Sequence, residues 1–179
     1  MKNVSVSTDG GKTWNAAGDK AGGFGCLLAF VDAKTGWVGF GDKFQATTDG
    51  GATWNDLALP AGVSKVAAIS LRTSMDGYLI DDKGSLHITH DGGKTWSARS
   101  PGLDNPGIMG FVSGGLVNEI PQAAVRFVDD NNGLVVLGLT GKDSLIALHT
   151  ADGGKTWEEE NLPAKFFGAA YISRDARFV

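Results

Sequence analysis

The chain has 179 residues, 42% of them hydrophobic and 20% charged, which is the composition of a folded domain with a sizeable core and excludes a disordered chain. Sixteen basic residues against 20 acidic ones leave a net charge of −4, so no electrostatic feature points to nucleic acid or to an anionic membrane surface. A single cysteine, Cys26, rules out an internal disulfide and, with three scattered histidines, a zinc-ligand set; no apolar run reaches the ~18 residues of a membrane helix.

Near the N-terminus, Val4 and Val6 alternate as a short strand that enters the segment 7–14, STDGGKTW. Residues 24–31 (FGCLLAFV) predict a strand, 32–36 a turn, 37–41 a second strand and 44–48 a third, which runs into TTDGGATW at 47–54 and a fourth strand from Thr53 to Leu57. The same order returns at 65–71, 78–80 and 85–89, ending in THDGGKTW at 89–96. It returns again at 123–128, 134–139 and 144–150, ending in TADGGKTW at 150–157. No stretch carries a helical period over ten residues. Within apolar 24–31, Cys26 reads as a small buried hydrophobe.

Four copies of [S/T]-x-D-G-G-[K/A]-T-W make this a repeat protein. The repeated residues are Asp9, Gly11, Thr13 and Trp14; Asp49, Gly51, Thr53 and Trp54; Asp91, Gly93, Thr95 and Trp96; and Asp152, Gly154, Thr156 and Trp157. Their aspartates are 40, 42 and 61 residues apart. A period near 40–45 with strand patterning predicts an all-β fold, a β-propeller of four-stranded antiparallel blades. The blade units fall at about 24–57, 63–99 and 123–160 within one domain. Residues 166–179 read as the first half of a further blade and 1–17 as its second half. The termini then complete a fourth blade between them, or the chain is an arc of a larger propeller, or a second copy completes it.

The motif resembles the Asp-box, or BNR repeat, in which it forms the turn between the third and fourth strands of a blade. The residue types suit that role. The carboxylate accepts turn amides, the paired glycines permit positive φ, and the tryptophan covers the turn. Identical turns on separate blades do not converge, so the four aspartates read as structural; no catalytic residue, metal ligand or cofactor site is expected. The Asp-rich turns at 81–82 and 129–130 lack the alternating oxygen ligands of a calcium loop.

Function is expected on scaffold-borne loops. The link 97–122 accounts for much of the 61-residue gap, and Met109 and Phe111 make it an apolar candidate interaction surface, a lid, or an extra hairpin; Glu119 lies in it too. Among the arginines, which include Arg99 and Arg177, Arg72, Arg126 and Arg174 lie in or just after the first strands of successive blades. There they either converge to grip carboxylates or phosphates, or pair with the acidic turns. His87, His90 and His149 read as solvated or edge residues, and Trp37 and Tyr78, at matching positions, as core.

Asp-box propellers include sialidases and xyloglucan-degrading glycosidases. Such sites need an arginine triad with a tyrosine nucleophile, or two facing carboxylates. Here only Tyr78 and Tyr171 exist, and three of the four glutamates, Glu158 to Glu160, form a charged run. The second strands, G-[W/Y/L] in pattern, followed by the box, look more like the photosystem II stability/assembly factor-like proteins. That resemblance implies a non-enzymatic, exported propeller that binds another protein during assembly of a larger complex. The alternative is a glycosidase-related propeller piece that binds or cleaves carbohydrate.

Overall fold

The computed structural model describes residues 4–7, 9–17, 26–40, 42–100, 110–111, 120–121, 123–138 and 145–160. Among them there is no helix. The first blade is β3 (Leu27–Phe30), β4 (Gly36–Phe40), β5 (Lys43–Thr47) and β6 (Asn55–Asp56). The second is β7 (Val66–Leu71), β8 (Gly77–Asp81), β9 (Leu86–Thr89) and β10 (Ser97–Arg99). The third is β13 (Ala123–Phe127), β14 (Gly133–Gly138), β15 (Leu145–Thr150) and β16 (Glu158–Glu160). Each is a four-stranded antiparallel sheet whose strands pair in sequence order, the topology of a propeller blade. Ahead of them, β1 (Val4–Val6) pairs antiparallel with β2 (Asn15–Ala17), a two-stranded hairpin among the described residues. The other stretch read as part of that blade, 166–179, lies outside the described residues.

The long link folds back on itself: β11 (Gly110–Phe111) pairs antiparallel with β12 (Ile120–Pro121), the extra hairpin that was one reading of this segment. Met109, Glu119 and Arg174 lie outside the described residues, as does the side chain of Phe111.

Blades join face to face through aromatic side chains that start the second strands. Trp37 of β4 packs with Phe44 and Leu71 between the first and second blades. Tyr78 of β8 stacks on Phe127 of β13 between the second and third, with ring centroids 4.1 Å apart and planes 3° from parallel. Such a pair contributes ~1 kcal/mol beyond its burial. Both Trp37 and Tyr78 are core residues.

The glycine that opens each second strand has a packing reason. Phe30 lies opposite Gly36 and Phe127 opposite Gly133, and a Cβ at either glycine would sit 2.6 Å from the phenyl ring. At Gly77 the crowding neighbour is Trp37 from the preceding blade, 2.0 Å from where a Cβ would be. Only a residue without a side chain lets the ring lie on the backbone.

The boxes dock on the turns that join first to second strands. Those turns are themselves closed by a short oxygen acceptor: Asp32 accepts the amides of Lys34 and Thr35, Asp129 those of Asn131 and Asn132, and the Thr73 hydroxyl those of Met75 and Asp76. Onto each, a box glycine donates its amide: Gly50 to Lys34 O at 2.8 Å, Gly92 to Met75 O and Gly153 to Asn131 O at 2.9 Å. Both turns of a blade therefore lie at one end of it.

Candidate functional site

The strands that begin the blades converge. Residues 27–30, 68–71 and 123–126 line a cavity of about 310 Å³. Ten of the twelve residues that line it have apolar side chains, Ser70 and Arg126 carry polar ones, and polar atoms, main chain included, make up much of the surface it presents. No carboxylate and no histidine is among the described residues that line it. Arg126 is half-buried, and its Nε is shielded from solvent without a hydrogen-bond partner. Such a donor costs free energy until a ligand supplies an acceptor.

One side of the cavity is open and apolar. Leu28 is 49% and Phe30 36% exposed, and the Phe30 ring meets Trp54 edge-on at 6.2 Å. The register shows why this is unusual for the fold. Phe30, Leu71 and Phe127 hold equivalent places opposite the glycine of the next strand. Leu71 and Phe127 are covered by Trp37 and Tyr78 of the preceding blade and are 4% and 2% exposed. Sequence reasoning passed over Leu28 and Phe30 because their strand reads as ordinary core; only the position of the first blade relative to its neighbours exposes them.

The two candidate arginines among the described residues, Arg72 and Arg126, do not act together. Arg126 lines the cavity, whereas Arg72 turns to the acidic turns. Its Nη2 lies 2.9 Å from Asp76 Oδ2 and also binds Asp130 Oδ1 of the third blade. Arg72 is thus an ion-pair clamp between blades, the second of the two readings of its position. Burial works against its charge, but Tyr78, Asp76 and Asp130 outweigh that and hold its pKa above the ordinary value.

Two expectations are corrected. His87 is buried, not solvated, because the β8–β9 turn brings Asp81 to its Nε2 at 3.0 Å. Burial tends to raise the Asp81 carboxyl, yet His87 and the amides of Ser85 and Lys83 prevail and hold it below the usual carboxylate range. Cys26 is exposed, not buried, since it precedes β3 at the open side of the first blade. His90 is exposed and bonds Asp76 Oδ1 through Nδ1 at 2.8 Å.

The box carboxylates are committed to their own turns. Asp49 accepts from the Thr53 amide at 2.9 Å and hydroxyl at 2.6 Å and from the Thr47 hydroxyl, and the same set recurs at Asp9, Asp91 and Asp152. The threonine hydroxyl and amide hold all four below the usual carboxylate range, Asp9 and Asp49 at about 2. Ionised acceptors with their lone pairs occupied by the turn are poor general acids.

Residues 57–174 match the family described as Photosynthesis system II assembly factor YCF48, and residues 5–16 match the BNR/Asp-box repeat. No curated protein matches the chain. Among solved structures, the GH74 enzyme of Niastella koreensis superposes with a TM-score of 0.60 at 17% identity, over 85% of this chain and 25% of that one. At that identity the likeness is one of fold. A structure described as YCF48 bound to D1 peptide gives a TM-score of 0.45 at 18% identity, over 93% of this chain and 79% of that one. YCF48 from Cyanidioschyzon merolae gives 0.40 at 15%, over 91% and 79%.

Proposed function

The chain belongs to the photosystem II assembly factor YCF48 family and is an assembly-factor-like propeller; on that premise we propose that it works by binding a protein segment at the cavity where its blades begin, without catalysing a reaction. The observation that carries this reading is the make-up of the cavity: mostly apolar side chains with polar main-chain atoms between them, one half-buried guanidinium with an unused donor, and no carboxylate or histidine among the described lining residues. A glycosidase of the paired-carboxylate kind needs two acids facing one cleft, and none of the described lining residues could protonate a leaving group or activate water. It suits an extended peptide that offers a carboxylate or a backbone carbonyl to Arg126 and apolar side chains to Leu28 and Phe30. An exported parent protein, drawn from the family resemblance, is a further part of this reading, as is completion of the propeller by a second copy, one of the three readings of the repeat count beside closure by the termini and an arc of a larger propeller.

Fluorescence anisotropy with labelled peptides that carry acidic and apolar residues, a D1-derived peptide among them, tests it. Arg126→Gln should weaken binding about 10-fold or more, the scale of one lost charge-assisted hydrogen bond. Phe30→Ser should weaken it independently. Peptide affinity unchanged in both variants, or xyloglucan hydrolysis that disappears with a cavity substitution, would overturn the reading.

A further inference from the structure

An aromatic arrangement of the third blade recurs in the first with one ring missing. In the third blade the Phe127 ring lies on Gly133, 2.6 Å from where a Cβ would be, and Trp157 meets it edge-on at 6.5 Å and 85°. In the first, the Phe30 ring lies on Gly36 at the same 2.6 Å, and Trp54 meets it edge-on at 6.2 Å and 89°. Floor and side wall are therefore alike. The third blade also has a cover: Tyr78 of the blade before it stacks on Phe127 at 4.1 Å, with the planes 3° from parallel, and Phe127 is left 2% exposed. Among the described residues no ring stacks on Phe30, which stays 36% exposed, with Leu28 two residues back at 49%.

Resting on the peptide-binding reading above, we propose that the bound peptide carries an aromatic side chain that stacks on Phe30 as Tyr78 stacks on Phe127, together with an acidic side chain that pairs with Arg126. A ring is the shape that fits. The Phe30 ring is held by Gly36 beneath it and Trp54 at its side, so it presents a flat, fixed face. A second ring gains from stacking on such a face what an aliphatic side chain does not. Rigid aromatic anchors that fill a pocket are also the side chains that most often carry the energy of an interface.

Charge complementarity sets the second requirement. Phe30 and Arg126 line the same cavity, the Arg126 Nε is shielded without a partner, and no carboxylate is among the described residues that line it. An Asp or Glu on the peptide supplies the missing acceptor in a charge-assisted hydrogen bond. The same charge works against a second copy docked face to face here, because a two-fold contact would bring two Arg126 guanidinium groups into one interface.

Fluorescence anisotropy of the full chain with a labelled octapeptide panel, carrying a Tyr and an Asp at varied spacing, tests this against the same panel with Leu in place of Tyr. Phe30→Leu is the variant to compare, because the second blade already carries Leu71 at the equivalent place. The parent chain should bind the best Tyr peptide about 5-fold more tightly than its Leu counterpart, and Phe30→Leu should reduce that preference to under ~2-fold with circular dichroism unchanged. Peptides that bind without a preference for Tyr, or a preference that survives Phe30→Leu, would overturn the proposal and leave the peptide-binding reading standing. Failure of every peptide to bind would overturn both. A dimer in light scattering that Phe30→Leu dissociates would make a second copy the occupant. Phe178 follows Tyr171 by seven residues, as Trp37 follows Phe30 and Tyr78 follows Leu71, so peptide binding that tightens in Phe178→Ser would make the chain's own segment 166–179 the occupant. Either result would overturn the proposal.

Discussion

The first box, 7–14, and the third, 89–96, have nearly the same sequence and share the hydrogen bonds that close the turn on its aspartate, yet they sit in different surroundings. In both, a hydroxyl and an amide of the second threonine close on the aspartate, and the first Ser or Thr caps the second glycine amide; they differ at the indole, where Trp14 Nε1 donates to the Gly11 carbonyl at 3.1 Å and Trp96 Nε1 has no partner. In the third, Gly92 docks on the β7–β8 turn and Trp96 leans on Trp37 and Phe44 at 5.7 and 6.0 Å. In the first, a Cβ at Gly10 would meet nothing within 4 Å and Trp14 is 64% exposed. The box is therefore a turn that closes by itself. What a blade adds is a surface to dock on and a cover for the indole, and that is where its contribution to stability comes from.

The largest break in this comparison is expected from Gly77→Ala. The added methyl would fall 2.0 Å from the Trp37 ring, and the Trp37 ring is the surface against which Trp96 packs. Overpacking against a ring held on both sides should cost about 3 kcal/mol, read as a lower urea midpoint. A Gly77→Ala chain as stable as the parent would mean that Trp37 has somewhere else to go.

Next, Trp96→Ala should cost about 3 kcal/mol and Trp14→Ala under ~0.5 kcal/mol, because only the first removes an indole from a packed cluster. Equal losses in the two variants would contradict the claim that the setting, not the turn, provides the difference.

The contrast between these tryptophans also marks what was legible in the sequence. The boxes, their period and the G-[W/Y/L] second strands point to propeller blades because turn chemistry and strand alternation are local properties. Trp37 and Tyr78 read as core by their equivalence. Position relative to a neighbouring blade is not local. Nothing in 24–31 says that Leu28 and Phe30 stay uncovered or that Cys26 is exposed, nothing near Arg72 says that its partner is 58 residues away, and His87 gives no sign of Asp81 until a tight turn brings them together. The cavity is a product of how blades converge, so Arg126 could be suspected but not distinguished from Arg72.

A smaller effect separates the glycines. Gly50 and Gly10 share positive φ, 76° and 75°, so alanine at either costs ~1 kcal/mol in backbone strain. At Gly50 the new Cβ would also sit 2.9 Å from the Ala33 carbonyl oxygen, which forces the box off its turn. Gly50→Ala is expected to cost about 2 kcal/mol and Gly10→Ala about 1 or less, the latter seen as local fraying in amide hydrogen exchange rather than a shifted midpoint. The reverse order would mean that docking contributes nothing.

The finest test concerns what the two settings have in common. Asp9 and Asp49 both stand at about 2, held down first by the threonine hydroxyl, then by the threonine amide, then by the hydroxyl that starts the box. Both are lowered from 3.8, so the stabilisation is fully present above about pH 4 and disappears as pH falls through about 2. If the box closes by itself, carboxyl carbon shifts followed by NMR should give Asp9 and Asp49 the same midpoint despite their different surroundings, and Thr13→Val should move Asp9 back toward 3.8 while leaving Asp49 in place. Midpoints that differ, with Asp9 near 3.8 in the parent chain, would show that the turn needs its blade. Sequence identity between the boxes would then have concealed a real difference in structure, and the first box could no longer be treated as a folded turn in its own right.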